Sequence, residues 1–422
     1  MFLEKEGKLI YSYDGETVCI EAWGKDALRV RATKNRSFTG RDWALEAKDA
    51  HAGEVEIFED PSAKGGAFAN MYEGTDTSYG KITNGKLHAV IDSGSVITFY
   101  HEDGRVLLKE HFRRLRDEES MPLNIMGREY SNGVGDNFRI VARFVARKGE
   151  KIFGMGQYQQ HELDLKGCML ELAQRNSQVS VPFYLSSIGY GFLWNNPGVG
   201  QVMFANNGTE WVTESGKEID YLVIAGDTPA EIEENYMTLT GKPPMMPEYG
   251  MGFWQCKLRY WNQEQLLSVA RKYKELGVPL DVIVVDFFHW TKQGEFKFDP
   301  KYWPDVPGMC RELKEMGIQV VVSVWPTVDI YSENFEEMKE KGYLVRTEHG
   351  VPLTMLCGGN EVFFDATNPD ARTYVWEKIK KNYYDQGAKL FWLDVAEPEY
   401  SVYDFRNYRY QLGSVQEVGN II

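Results

Sequence analysis

Two aspartates each follow a short apolar run: Asp286 in LDVIVVDFF (residues 280–288) and Asp394 in KLFWLDVAEPEY (residues 389–400). A carboxylate delivered to the end of a buried strand has two uses. It accepts hydrogen bonds from hydroxyl groups, or it attacks or protonates a reacting centre. Near them in the sequence stand Trp254, Trp325 and Trp392, His289 beside Trp290, Asp329, and the pair Glu397 and Glu399. Aromatic faces and carboxylates are the groups from which a sugar pocket is built. Each residue also has a plainer use. A lone aspartate after a strand often caps the next helix. His289 is suited to carry a proton near neutral pH, yet reads more simply as a structural histidine. Glu397 and Glu399 read equally well as solvated loop residues or as ties for neighbouring arginines.

The elements that would position these residues change rhythm along the chain. Up to about residue 235 the pattern is of short alternating strands separated by turn signals. GKLIYSYDGETVCIEAWGKDALRVRAT turns at Asp14-Gly15 and Gly24-Lys25, and KLHAVIDSGSVITFYHEDGRVLLKE turns at Ser93-Gly94 and Asp103-Gly104. Such spacing predicts an antiparallel β-sandwich. A helix is expected at TPAEIEENYMTL (228–239), opened by Thr228 with Pro229 in the first helical position. The proline-rich joint GKPPMMPEYG (241–250) follows. The predicted division is therefore a sandwich domain over 1–240 and an α/β domain over 241–422.

Beyond the joint, apolar segments alternate with amphipathic helices: MGFWQ, QEQLLSVARKYKEL, LDVIVVDFF, PGMCRELKEMG, IQVVVSVWP, SENFEEMKEKG, PDARTYVWEKIKKNYYDQG and KLFWLD. Strands apolar on both faces and alternating with helices predict four parallel βα units. These make either a doubly wound sheet or the first half of a (β/α)8 barrel. In both, ligands sit at the C-terminal ends of the strands. Those ends read Trp254, Asp286, Trp325 and Asp394, so Asp286 and Asp394 hold equivalent rim positions.

Bulk properties narrow the partners. With 43% apolar and 14% aromatic residues the chain is globular, and its net charge of −15 argues against nucleic acid or an anionic membrane. No apolar run approaches the roughly 18 residues of a membrane span, and MFLEKEGKLIYSYDG lacks the features of a secretion signal. The five scattered cysteines support neither a disulfide framework nor a zinc site. A cytoplasmic protein is expected. No glycine fingerprint follows a strand and no P-loop is present, so no nucleotide cofactor and no metal is expected.

Taken together, KLFWLDVAEPEY, GKPPMMPEYGMGFWQCKLRYWNQEQLL, LDVIVVDFFHW and VVVSVWPTVD resemble glycoside hydrolase family 31, and within it the α-xylosidase branch. IFGMGQYQQ (152–160) and VPFYLSSIGYGFLWNNPG (181–198) extend the resemblance into the sandwich half. It implies a retaining α-glycosidase with a galactose-mutarotase-like β-sandwich before a (β/α)8 barrel. Asp394 then matches the nucleophile, and Asp286 a residue that holds sugar hydroxyls. Trp325 matches a wall of the pocket, Trp254 a contribution from the first strand, and Glu397 a supporting glutamate. Where some relatives carry lysine, this chain has Trp392. The substrate-binding set is thus Asp286, Trp325, Trp254, Trp392 and His289.

A retaining enzyme needs a second carboxyl group about 5–5.5 Å from the nucleophile. The family's W-x-G-D-like acid/base segment has no match here, and only four of eight barrel strands are found. The acid/base is expected outside this chain, supplied by a missing C-terminal half or by a second polypeptide; a homo-oligomer is separately among the expected assemblies. The expected substrate is a small oligosaccharide or glycoside, with α-xylose preferred. The alternatives are an α-glucosidase and a non-catalytic, truncated carbohydrate-binding relative, and the activity of these 422 residues alone is left open.

Overall fold

The computed structural model describes residues 1–59, 78–112, 126–351, 360–396 and 402–421. The chain forms two compact units, one of Met1–Pro243 with Gln416–Ile421, the other of Pro244–Val415. Residues Gln416–Ile421 pack with the first unit. The Gln416 carbonyl accepts from the Val199 N–H at 2.9 Å, and the Asn420 side chain donates to the carbonyls of Leu172 and Gly198 at 3.0 and 2.9 Å.

Among the described residues the first unit is built from antiparallel ladders: one sheet of nine strands and two of five. Its hairpins follow the turn chemistry. Lys8–Tyr13 pairs with Glu16–Trp23, and Asp14 and Gly15 between them have φ of 48° and 75°. Two positive φ values in a two-residue loop match the right-handed twist of the flanking strands, and Asp-Gly tolerates them. Alternating side chains meet in one aromatic-rich core. Tyr184 stacks on Phe192 at 5.4 Å, Phe192 on Trp211 at 5.2 Å and Trp211 on Trp194 at 5.6 Å, all fully buried. The helix Pro229–Thr240 closes the unit's first segment, with the Thr228 hydroxyl accepting from the Glu231 N–H.

Among the described residues the second unit carries four parallel strands: β1 (Trp254–Gln255), β2 (Val282–Val285), β3 (Gln319–Val324) and β4 (Leu390–Leu393), paired in that order. Between them run α1 (Gln263–Glu275), α2 (Val306–Glu315), α3 (Phe335–Glu340) and α4 (Pro369–Asn382). Side chains of Asn262, Asp305 and Asn368 cap α1, α2 and α4 by accepting their first free N–H groups. The central strands are buried on both faces, as Val282–Val285 and Val320–Val324 predict. The outer strands β1 and β4 are half-open: Trp254, Trp392 and Leu393 are exposed.

Candidate active site

Parallel pairing sets the heights at the rim. Val285 pairs with Val322, and Val324 with Leu393. Asp286 and Asp394 are each the first residue past a strand. The Asp394 N–H still continues the ladder, donating to the Val324 carbonyl at 3.0 Å. Its carboxylate is then gripped at both oxygens. Oδ2 accepts from the Trp325 indole Nε1–H at 3.1 Å, and Oδ1 from the Val395 N–H at 3.0 Å. Val395 has φ 59°. A β-branched residue rarely adopts this left-handed conformation, and strain of about 1–3 kcal/mol persists only where its surroundings impose it. Here it accompanies an N–H that donates to the carboxylate. Two donors, one on each oxygen, fix the direction of the carboxylate, as an attacking group requires.

Asp286 is held in the same manner. Its Oδ1 accepts from the Phe287 N–H at 2.8 Å, and the Cys256 thiol, one residue past β1, donates to Oδ2 at 3.5 Å. Burial, with Asp286 adding its negative charge, pushes the Cys256 thiol up to about 11, so it stays a donor. Phe287 stacks on Trp325 at 5.0 Å, and Trp290 meets Trp325 edge-on at 6.0 Å. Trp325 therefore has one end on Asp394 and its ring in an aromatic wall.

His289 was expected among the sugar-contacting residues; the structure turns it inward. It is buried, with Nδ1 at 3.0 Å from the Asp286 carbonyl and Nε2 at 2.8 Å from the Tyr383 hydroxyl. A carbonyl only accepts, so Nδ1 carries the proton and Nε2 accepts from Tyr383. The imidazole braces the backbone of Asp286, and both of its nitrogens are occupied. Trp254 and Trp392 lie on the outer strands with exposed rings, and Glu397 lies outside the described residues. Sequence reasoning missed Cys256 and Tyr383. Cys256 directly follows the first strand, a rim position equivalent to that of Asp286, and that was its signal. Tyr383, 94 residues from His289, gave none.

Burial holds His289 neutral, lowering its pKa from 6.5 to about 4 against the opposing pull of the Asp286 carbonyl. Between those values the unfolded chain binds a proton that the folded chain does not. Stability from this residue is therefore complete above pH 6.5 and is lost on descent toward pH 4, by up to about 3 kcal/mol. Urea unfolding of wild type and His289→Gln at about pH 7 and about pH 4.5, on either side of the ordinary histidine value, checks this. The variant is expected to show the smaller pH dependence; equal slopes refute the assignment.

An antiparallel sandwich unit is followed by parallel βα units whose rim presents carboxylates and aromatics, the groups of a sugar pocket. The comparisons name the family. The model of the glycosyl hydrolases family 31 TIM-barrel domain matches residues 243–419, and that of the glycosyl hydrolase 31 N-terminal galactose mutarotase-like domain matches residues 17–202. The family 31 glucosidase ORF2 of Pseudescherichia vulneris, itself uncharacterized, is 45% identical over 99% of this chain and 78% of its own length. Alpha-xylosidase A of Aspergillus niger is 31% identical over 90% of this chain and 52% of its own. Among solved structures, a GH31 alpha-xylosidase from a soil metagenome, complexed with xylose, is 50% identical with a TM-score of 0.91. It is matched over all of this chain and 61% of its own. The chain belongs to glycoside hydrolase family 31, and it spans about half to four-fifths of the length of these relatives.

Proposed function

We propose that this chain carries the sandwich and the nucleophile-bearing half of the barrel of a retaining α-glycosidase that releases α-xylose from small oligosaccharides. The observation that supports this reading most is the two-donor grip on Asp394 by Trp325 and Val395. Asp394 attacks the anomeric carbon, the leaving-group oxygen departs with a proton, and water then hydrolyses the glycosyl ester. Asp286, steadied by Cys256 and His289, takes hydroxyls of the bound sugar. Trp325 forms a wall of its pocket. The proton donor is a second carboxyl group beyond these residues, and Glu397 is read as a support for the nucleophile. The relatives named as α-xylosidases support the xylose reading over the glucose one.

The two sugars differ by one hydroxymethyl group, worth about 10- to 200-fold in discrimination. A fluorinated α-xylosyl fluoride and its glucosyl counterpart test the reading, because fluoride leaves with little acid assistance. The xylosyl reagent is expected to add its mass to the peptide bearing Asp394, at least about tenfold faster than the glucosyl reagent. Faster glucosyl labelling makes the protein an α-glucosidase. No label on folded protein favours a non-catalytic carbohydrate-binding role.

A further inference from the structure

The two faces of the parallel sheet are told apart by what their side chains meet. Val285 and Val322 pack with Leu266 of α1 and Leu313 of α2. Val284 and Val321 sit in a separate cluster on the other face, with Leu390 beside them. Side chains alternate along a strand, so Asp286, Ser323, Trp325, Trp392 and Asp394 all stand on this second, inner face. The register gives their heights. Ser323 pairs with Trp392, and Val324 with Leu393. One residue on, Trp325 comes level with Asp394, where its indole bonds the carboxylate. Asp286, one past the pair of Val285 with Val322, comes level with Ser323.

The row of Asp286, Ser323 and Trp392 thus lies one layer below Trp325 and Asp394. Ser323 stands out in two ways. From Val320 to Val324 it is the one residue that is not valine. Its hydroxyl is fully buried and has no hydrogen-bond partner among the described residues. A buried, unpaired hydroxyl lowers stability, so the hydroxyl does not account for the residue. Its size does. Neighbouring strands lie about 4.8 Å apart, and an indole beside a valine at that spacing has to tip away from the sheet. Beside a serine it can lie back against β3. Ser323 is completely covered although Trp392, its neighbour on the outer strand β4, has an exposed ring. A ring laid toward Ser323 gives both results. Barrel interiors are filled by such layers, large side chains beside small ones.

We propose that Ser323 is a positioning residue that sets the depth of the sugar pocket: its small side chain seats the Trp392 indole as a floor below Asp394 and Trp325. The proposal rests on the glycosidase reading above. A larger residue at this position raises the ring into the space that the sugar takes when its anomeric carbon meets Asp394. Trp392 then meets the sugar at a height fixed by a residue that itself stays covered.

Xylose binding, measured calorimetrically on wild type and on a size series at this position, tests it. Ser323→Ala is expected to bind within about twofold of wild type, and Ser323→Val at least about fivefold more weakly, as overpacking implies. Ser323→Thr keeps the hydroxyl and adds one methyl group. It is expected to fall between them, and it carries the test if the valine variant does not fold. In a Trp392→Phe background the smaller ring leaves room, so Ser323→Val is expected to cost less than about twofold there. Weaker binding in Ser323→Ala, equal binding across the series, or the same loss in both backgrounds overturns the floor. Labelling of Asp394 in wild type reports separately on the glycosidase reading. Label together with an unmoved series refutes the floor alone. Xylose binding that falls with residue size, without label, refutes the nucleophile and keeps the floor. A wild type that neither binds xylose nor takes label overturns both.

Discussion

Replacing Asp394 by asparagine is expected to abolish covalent capture by the fluorinated xylosyl fluoride and to lower turnover by the protein on the order of 10⁴-fold or more. The amide is nearly the size of the carboxylate but is not a nucleophile toward an anomeric carbon. It also disturbs the site, because both oxygens of Asp394 accept a hydrogen bond, from Trp325 and from Val395. Asparagine has one acceptor, so one of these donors would face an NH2 group. That local penalty is about 1–3 kcal/mol where the donor is buried, too little to unfold a unit with its own core. Asp394→Ala separates the two effects. It leaves space on the attacking side, and azide placed there would attack the carbon that Asp394 would have reached. An α-glycoside attacked from that side gives the β-glycosyl azide. Mass spectrometry of the peptide spanning the substituted position and identification of the azide product check both arms. Persistent labelling in Asp394→Asn would remove Asp394 from the reaction.

Much of this site's framework is legible in the sequence because burial on both faces leaves a mark. VIVV before Asp286 and VVVSV before Trp325 admit few readings other than central parallel strands, and their rim residues follow by position. The Asp14-Gly15 turn and the Thr228-Pro229 helix start are local chemistry, and local chemistry is written in neighbouring residues. What the sequence hides is set by tertiary contact. Phe288 and Val395 adopt left-handed φ values against their own preference, so propensity points away from the result. His289 faces inward because Tyr383 waits for it at the far end of α4, a partner that no spacing rule supplies. The hydrogen bonds of Gln416 and Asn420 to Val199, Leu172 and Gly198 join residues far apart along the chain and leave no local mark. Trp392, two residues before the nucleophile, illustrates the intermediate case. Its position in β4 was readable, and its exposed ring follows from being on an outer strand.

The largest stability effect is expected in the sandwich, at Arg29. Its strand, Ala27–Thr33, pairs with Ile219–Ala225 so that Arg29 stands opposite Leu222. Asp220, two residues from Leu222, lies on the same face as Arg29. Arg29 is fully buried and grips Asp220 with two bonds, Nε to Oδ1 at 3.0 Å and Nη2 to Oδ2 at 2.7 Å. Its remaining donors reach Asp42 at 2.7 Å and the Arg41 carbonyl at 2.9 Å, and the Trp23 ring lies 4.6 Å away. Arg29→Met keeps much of the volume and removes every donor. Among the described residues, the Asn195 amide at 2.8 Å is then the side-chain hydrogen bond left to the buried Asp220 carboxylate, with Arg31 as the nearby positive charge. Breaking a buried pair from one side costs about 3–5 kcal/mol, because the surviving charge is left uncompensated. Replacing both members by apolar residues of like volume removes that charge as well, so Arg29→Met with Asp220→Leu is expected to be more stable than Arg29→Met alone. Denaturant unfolding of the three proteins, read by fluorescence of the buried tryptophans, checks the ordering. A single variant as stable as wild type would mean that Asp220 is already compensated without Arg29. A double variant no better than the single would place the loss in packing around Trp23 and Asp42 rather than in the stranded charge.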